Sequence, residues 1–280
     1  MTSLADGTLI ADVSGSSSHA LARSTDHGVT WKNVLQIGPY RMLTPHSIAE
    51  LDGAIYFAEY QVFTSSSTPI RLWKSPDRGE TWTVQQTFDG HRQANGLAVD
   101  PQRKALWVYF GATDAQSGVH RSIDGGATWS AIVKGKEGDV VDAQVLPDGS
   151  LLCGQSISYQ PWRPTVARIG VGGPVSHLAT LPSASYSTHA VSTGGFVIGT
   201  TYEVFSDVSP AGWTRGSLWG SGDGVQWKKL LDVPRLSSTD DVRVDVYWEL
   251  ATGELVVSVR NAAGFGPGGR GYLLVNTVRQ

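Results

Sequence analysis

The sequence predicts an all-β fold, a six-bladed β-propeller, and three observations carry that expectation. A turn of the form Ser-x-Asp-x-Gly-x-Thr-Trp occurs at Ser24 to Trp31, Ser75 to Trp82 and Ser122 to Trp129, and a copy one residue shorter runs from Ser221 to Trp227. Its tryptophans fall at 31, 82, 129 and 227, in steps of 51, 47 and 98 residues, so one copy of a period near fifty is missing between the last two. Short runs of strand-forming residues lie between the turns, and 33 glycines and 10 tryptophans fit tight turns joined by strands with an aromatic plug per unit.

Aligned on the tryptophans, the chain lays out as six units of up to four strands. The first opens with a clipped "MTSLA", turns at Asp6-Gly7 and continues as "TLIADVS", "HALARS" and "TWKNVLQI". The second reads "HSIAEL", "AIYFAEY", "PIRLWKS" and "TWTVQQTF", its first two runs separated by Asp52-Gly53, a strong hairpin signal. The third reads "NGLAVD", "ALWVYFGA", "GVHRS" and "TWSAIV"; the fourth "DAQVLP", "SLLCGQS", "TVARIG" and "VSHLATL". The fifth is "THAVST", "FVIGTTYE", "GSLWGS" and "QWKKLLDV", and the sixth has only "VDVYWEL", "ELVVSVRN" and "GYLLVNTV". A closed ring of such sheets protects its strand edges, which favours six blades in one domain over residues 1–280; five blades is the alternative, because both end units are short.

Each repeated turn joins a third strand to a fourth. There Asp accepts hydrogen bonds from turn amides, Gly takes positive φ and Trp packs between sheets, so the turns read as structural. Their isolated aspartates lack the oxygen density of a calcium loop. These segments resemble the Asp-box, or BNR, repeats of the sialidase-like propeller superfamily. The resemblance implies a propeller with the boxes on the rim away from the active site. It does not choose among the glycosidases, polysaccharide lyases, receptor ectodomains and assembly factors that share the repeat.

Composition narrows the partners. A formal charge of −3 with both signs scattered leaves no basic stripe for nucleic acid. Cys153 is the single cysteine, which excludes an intrachain disulfide and a multi-thiolate zinc site and suits a buried apolar thiol. No run of about 20 apolar residues spans a bilayer, and no basic-then-apolar leader opens the chain, so no membrane partner is expected and the chain reads as soluble. Secretion and oligomeric state stay open.

Because strands alternate in direction, the starts of the first strands and the ends of the second share the face opposite the boxes. First-strand starts carry His46, Asn95, Asp142, His189 and Asp245, a polar set that strand packing does not call for. Second-strand ends add Glu59, Tyr60, Asp114, Tyr159, Tyr202, Glu203 and Arg260, and nearby segments add Arg41, Arg92, Arg163, Arg215 and Arg243. The loops that follow bring Trp162, Trp213 and Phe265. Aromatic faces beside carboxylates and guanidinium groups suit a sugar, apolar on its ring faces and hydrogen-bonding at its rim.

Two mechanisms use these residue types. A glycosidase needs two carboxyl groups flanking the bond, drawn from Glu59, Glu203, Asp142 and Asp245. A uronate lyase needs a base, a carboxylate neutraliser and an acid, roles open to His46 or His189, Tyr60 or Tyr202, and Arg92 or Arg243. Sialidases carry an Arg-Ile-Pro segment near the start, and "YRML" at Tyr40 to Leu43 does not match it, so sialidase roles are not carried over. No cofactor is expected; a divalent ion such as Mn or Zn on His46, His189 and Asp142 is the metal reading the residue types admit. The functional expectation is a carbohydrate-active enzyme that cleaves a polysaccharide or oligosaccharide by hydrolysis or β-elimination. The alternatives are a non-catalytic glycan- or protein-binding propeller and an enzyme on a small non-sugar metabolite.

Overall fold

The computed structural model describes residues 1–15, 18–61, 69–156, 164–201, 215–237 and 242–276. Among them there is no α-helix, and no helix is long and apolar enough to cross a membrane. Contacts divide the chain into two compact units, Met1–Asp139 and Val140–Gln280.

The first unit holds three four-stranded antiparallel sheets in chain order. They are β1 (Thr2–Ser3), β2 (Leu9–Ser14), β3 (His19–Ser24) and β4 (Lys32–Gly38); β5 (Ile48–Leu51), β6 (Ala54–Ala58), β7 (Ile70–Ser75) and β8 (Thr83–Phe88); and β9 (Gln93–Asp100), β10 (Ala105–Gly111), β11 (Gly118–Ser122) and β12 (Ser130–Lys134). Second strands are the most apolar: "AIYFA" and "ALWVYFG" are buried almost throughout, as expected of strands covered on both faces. Ile10, Leu21, Tyr56, Phe57, Leu72, Leu106 and Phe110 belong to one core cluster that runs through all three sheets. Fourth strands such as "TVQQTF" are half-exposed and polar, which suits an outer edge.

The second unit holds one further four-stranded sheet, β13 (Val140–Val145), β14 (Leu151–Gln155), β15 (Thr165–Ile169) and β16 (Val175–Thr180). Its remaining strands are β17 (Ala184–Ala190), β18 (Phe196–Thr201), β19 (Arg215–Ser221), β20 (Lys228–Pro234), β21 (Arg243–Glu249), β22 (Glu254–Arg260) and β23 (Gly271–Asn276). They form a single seven-stranded sheet, because the end of β18 meets the start of β21 through the pair Thr201↔Arg243. The expected fifth and sixth units are therefore joined along one edge.

The repeated turns have one internal geometry. In the second copy the Ser75 hydroxyl donates to Asp77 at 2.8 Å and accepts the Gly79 amide at 2.8 Å. Asp77 also accepts the Thr81 amide at 2.8 Å and hydroxyl at 2.5 Å, and the Trp82 indole donates back to Gly79 at 3.1 Å. Those donors hold the Asp77 carboxyl down at about 2, the Thr81 hydroxyl contributing most; Asp26 and Asp124 are held at about 2 in the same way. In each full copy two successive residues take positive φ, His27 and Gly28, Arg78 and Gly79, Gly125 and Gly126. The short copy keeps only Gly224 in that region, and its Asp223 takes the Val225 and Gln226 amides in place of a threonine. The residue missing from the short copy is thus one left-handed turn residue. The turns also dock on the preceding sheet: Tyr56 donates to the Gly125 carbonyl at 3.1 Å, and a methyl group on Gly79 would lie 2.7 Å from Ile10.

Four of the first strands carry a bulge. Register slips at Asn95 in β9, Val141 in β13, Tyr186 in β17 and Tyr247 in β21, each an extra residue that re-aims the side chains around it.

Candidate functional site

In the second unit the first strands β13, β17 and β21 stand side by side, linked by side chains. Asp142 Oδ2 accepts the Thr188 amide at 2.7 Å, Ser187 Oγ accepts the Val246 amide at 3.0 Å, and the Tyr247 hydroxyl donates to the Tyr186 carbonyl at 3.2 Å. Small residues permit this closeness. A Cβ on Gly154 would sit 2.4 Å from the Ser185 Cβ, and one on Gly199 would sit 1.9 Å from the Val244 carbonyl oxygen.

This wall gathers a charged cluster around Asp245, which is only 3% exposed. Its Oδ1 is buried with no hydrogen-bond partner among the described residues, and its Oδ2 lies 3.6 Å from Arg260. Burial pushes its carboxyl pKa up, opposed by Arg260 and Arg243, with the charge of Asp142 adding to the rise. Tyr247 is raised well above its ordinary value, first by burial and then by Asp245 and Asp142, so it stays a protonated donor at neutral pH. Arg243 lies over the Tyr186 ring at 5.3 Å. Chemically, the cluster offers a carboxyl biased towards holding its proton, an anchored second carboxylate and two guanidinium groups.

Of the residues expected at the site, Asp142, Asp245, Arg243 and Arg260 meet here. His189 does not share their end of the sheet. The fifth unit's first strand begins at Ala184, four residues earlier than "THAVST" suggests, so His189 lies near the strand's far end, paired with Val197. There its Nε2 is 3.7 Å from Glu249, whose carboxylate also takes the Ser192 amide and hydroxyl at 2.8 and 2.6 Å. The positions equivalent to the expected start are filled by Ser185, Tyr186 and Ser187. Phe265 packs against the apolar core of this unit and abuts Gly271.

In the first unit Glu59 is fully buried and saturated with donors. Arg71 reaches it at 2.7 and 3.0 Å, the Arg71 amide at 3.0 Å and the Trp73 indole at 2.8 Å. Those contacts make it a tie between β6 and β7 and leave its oxygens engaged. Tyr60 and Arg41 form an isolated backbone bridge, with N···O distances of 2.9 and 3.1 Å. His46 sits in the 3-10 turn Pro45–Ser47 before β5, and the Arg92 carbonyl accepts from Gln61 at 2.9 Å. Asn95 is buried, its Oδ1 accepts from the Gln93 side-chain Nε2 at 3.0 Å, and it abuts Gly111 together with Asp139. Asp139 forms a buried pair with Lys136 at 2.6 Å, and Asp114 caps the Lys136 amide at 2.8 Å. Trp162, Tyr202, Glu203 and Trp213, with Tyr159 and Arg163, lie outside the described residues. Cys153 is buried and its thiol is pushed up to about 12 by desolvation. Among the described residues no three His, Cys, Asp or Glu side chains group closely enough to hold a metal ion.

Sequence reasoning missed Tyr247, Thr188 and the Lys136–Asp139 pair. Tyr247 stands two residues after Asp245, a spacing that a reading of alternating strand faces would have flagged. Thr188 carried no signal, because its role depends on a neighbouring strand 46 residues away.

No family model matches the chain. Xyloglucanase Xgh74A of Acetivibrio thermocellus is 24% identical over 156 residues, 48% of this chain and 18% of its own length. A xyloglucanase from Paenibacillus sp is 26% identical over 200 residues, 59% of this chain and 19% of its own. The sequence relatives are xyloglucanases. This chain spans about a fifth of the length of each. Among solved structures, TolB from Acinetobacter baumannii, a β-propeller, superposes with a TM-score of 0.51 at 12% identity, covering 95% of this chain and 63% of TolB. That likeness is one of fold: all-β and propeller-like.

Proposed function

We propose that this chain is a six-bladed Asp-box propeller that cleaves a polysaccharide or its oligomers at the Asp245 cluster. The observation that carries the reading is Asp245, a residue buried to 3% exposure, with one oxygen unpartnered among the described residues and its proton favoured by burial. A general acid that protonates the leaving glycosidic oxygen needs such a group. Asp142, anchored by the Thr188 amide and close enough to raise Asp245, is the second carboxylate, acting as base or nucleophile. Tyr247, kept protonated, spends its proton on the Tyr186 carbonyl, so it holds β17 against β21 and takes no part as a base. The likeness to two xyloglucanases favours hydrolysis over elimination. Glu59 is left out of the carboxylate pair, since its oxygens already meet four donors.

The test is mass spectrometry of products after incubation with a panel of neutral and uronate-containing polysaccharides. Fragments that have gained water are expected. Unsaturated fragments would assign elimination instead, and the absence of any fragment across the panel would overturn the catalytic reading.

A further inference from the structure

The short copy of the repeated turn differs from the three full copies on both sides of its serine. In the full copies the residue before the serine is Arg23, Lys74 or Arg121, each cross-strand from a second-strand residue, Ile10, Tyr56 or Trp107. These long side chains lie across their sheets: Arg23 donates to the Arg78 carbonyl at 2.8 Å, and Lys74 and Arg121 stand over the Tyr56 and Trp107 rings at 5.5 and 5.2 Å. The equivalent residue in the short copy is Gly220, paired with Val197. The residue after the serine is Thr25, Pro76 or Ile123 in the full copies and Gly222 in the short one, where an added Cβ would meet nothing within 4 Å. None of the four copies follows β23, whereas in the first unit a succeeding turn docks on the sheet before it, as Gly125 does at Tyr56.

Where those groups are absent, the second unit holds a cavity of about 450 Å³ walled by Phe196, Val197, Trp227, Leu230, Leu255 and Val275. Its size lies within the roughly 300–1,000 Å³ of small-molecule sites. Lys228 is the one charged residue in the lining, which contains no carboxylate. It is the direct cross-strand partner of Gly220, so its side chain leaves the sheet on the face that the glycine leaves bare. Its neighbour Lys229 is paired with Asp232 at 2.5 Å; Lys228 has no carboxylate at that range among the described residues. Leu255 at the cavity and Arg260 at the Asp245 cluster stand near opposite ends of β22, roughly 16 Å apart along the strand. The two places are separate.

We propose that this cavity binds a small amphiphilic anion, an aromatic or branched apolar body between Trp227, Leu255 and Val275 with a single anionic group at Lys228. The body gains by leaving water and by contact with the Trp227 ring. The anion supplies the acceptor that the ammonium lacks, a charge-assisted hydrogen bond beside apolar walls. A sugar, hydroxylated on every side, would bury polar groups there without partners.

Fluorescence titration of the folded chain with anilinonaphthalene sulfonate, an apolar body carrying one anion, and with uncharged phenylnaphthylamine tests this. The sulfonate is expected to saturate a single site, to bind more tightly than the amine, and to lose affinity as salt rises. Gly222→Ile, which restores the side chain of the third copy where there is open space, should abolish binding of both probes. Lys228→Gln should weaken the sulfonate about tenfold and leave the amine unchanged. Melting temperatures equal to the parent's show that the variants fold and that the signal does not come from partly unfolded chains. No saturable binding to the parent, binding that survives Gly222→Ile, or sulfonate binding unchanged by Lys228→Gln would each overturn the proposal. Polysaccharide cleavage does not enter the test, so this site and the proposed activity can fail separately.

Discussion

Replacing Asp245 by Asn separates the catalytic from the structural meaning of the buried carboxyl. The residue is 3% exposed, one oxygen has no hydrogen-bond partner among the described residues, and the one cation at ion-pair distance among them, Arg260, is half in solvent at 3.6 Å. A half-exposed partner returns about 0–1 kcal/mol, whereas burying a carboxylate costs several kcal/mol even after relaxation. The carboxyl's pKa is accordingly pushed up, burial outweighing both arginines. Asn keeps the shape and removes the charge, so the variant should be more stable at neutral pH by about 1–2 kcal/mol, or roughly 2–4 °C of melting temperature per kcal/mol for a chain of this size. The sign follows from linkage. A carboxyl with a raised native pKa destabilises the fold above that pKa and relaxes as pH falls through it, so the gain should shrink on acidification. Cleavage should fall by about 10²–10⁴, the usual worth of a general acid. Scanning calorimetry at two pH values, beside product analysis, reads both effects. A variant less stable than the parent at neutral pH, or one that still cleaves, would refute the argument.

Two further outcomes are expected. Glu59→Gln should cost about 2–4 kcal/mol, because it leaves Arg71 half-buried without its counter-charge; urea unfolding measures it, and lost activity with unchanged stability would contradict the structural role. His120, wedged edge-on against Phe88, His91 and Phe110, is held at about 4 chiefly by burial, with His91 and Lys134 adding to the effect. Its contribution is complete above about 6.5 and is lost as pH falls towards 4, by about 1–2 kcal/mol once solvent screening of a partly exposed ring is allowed for. His120→Phe should flatten the melting temperature over that window, and an unchanged slope would assign the acid sensitivity elsewhere.

Chain-local physics made much of this fold legible. The turn at Ser75 to Trp82 closes on itself through five hydrogen bonds within eight residues, so its pattern predicts its geometry wherever it recurs. Strand runs such as "ALWVYFG" announce burial on both faces through composition alone. The fifth unit's first strand starts earlier than its pattern suggests because "SASYSTHA" is polar and its burial comes from close packing, with Gly154 of β14 against Ser185 and Gly199 of β18 against Ser187 and Val244. No local pattern encodes such contact.

The site divides along the same line. Asp142, Asp245, Arg243 and Arg260 were readable as strand-end polar residues, since alternation and turn position depend only on neighbours in sequence. Which carboxylate keeps a free oxygen was decided by the tertiary structure: Glu59 meets Arg71 and Trp73 from the next strand, while Asp245 is buried with one oxygen unpartnered. Residue type sets what a group can do in water. Desolvation and partner geometry, properties of atoms distant along the chain, set what it does when folded.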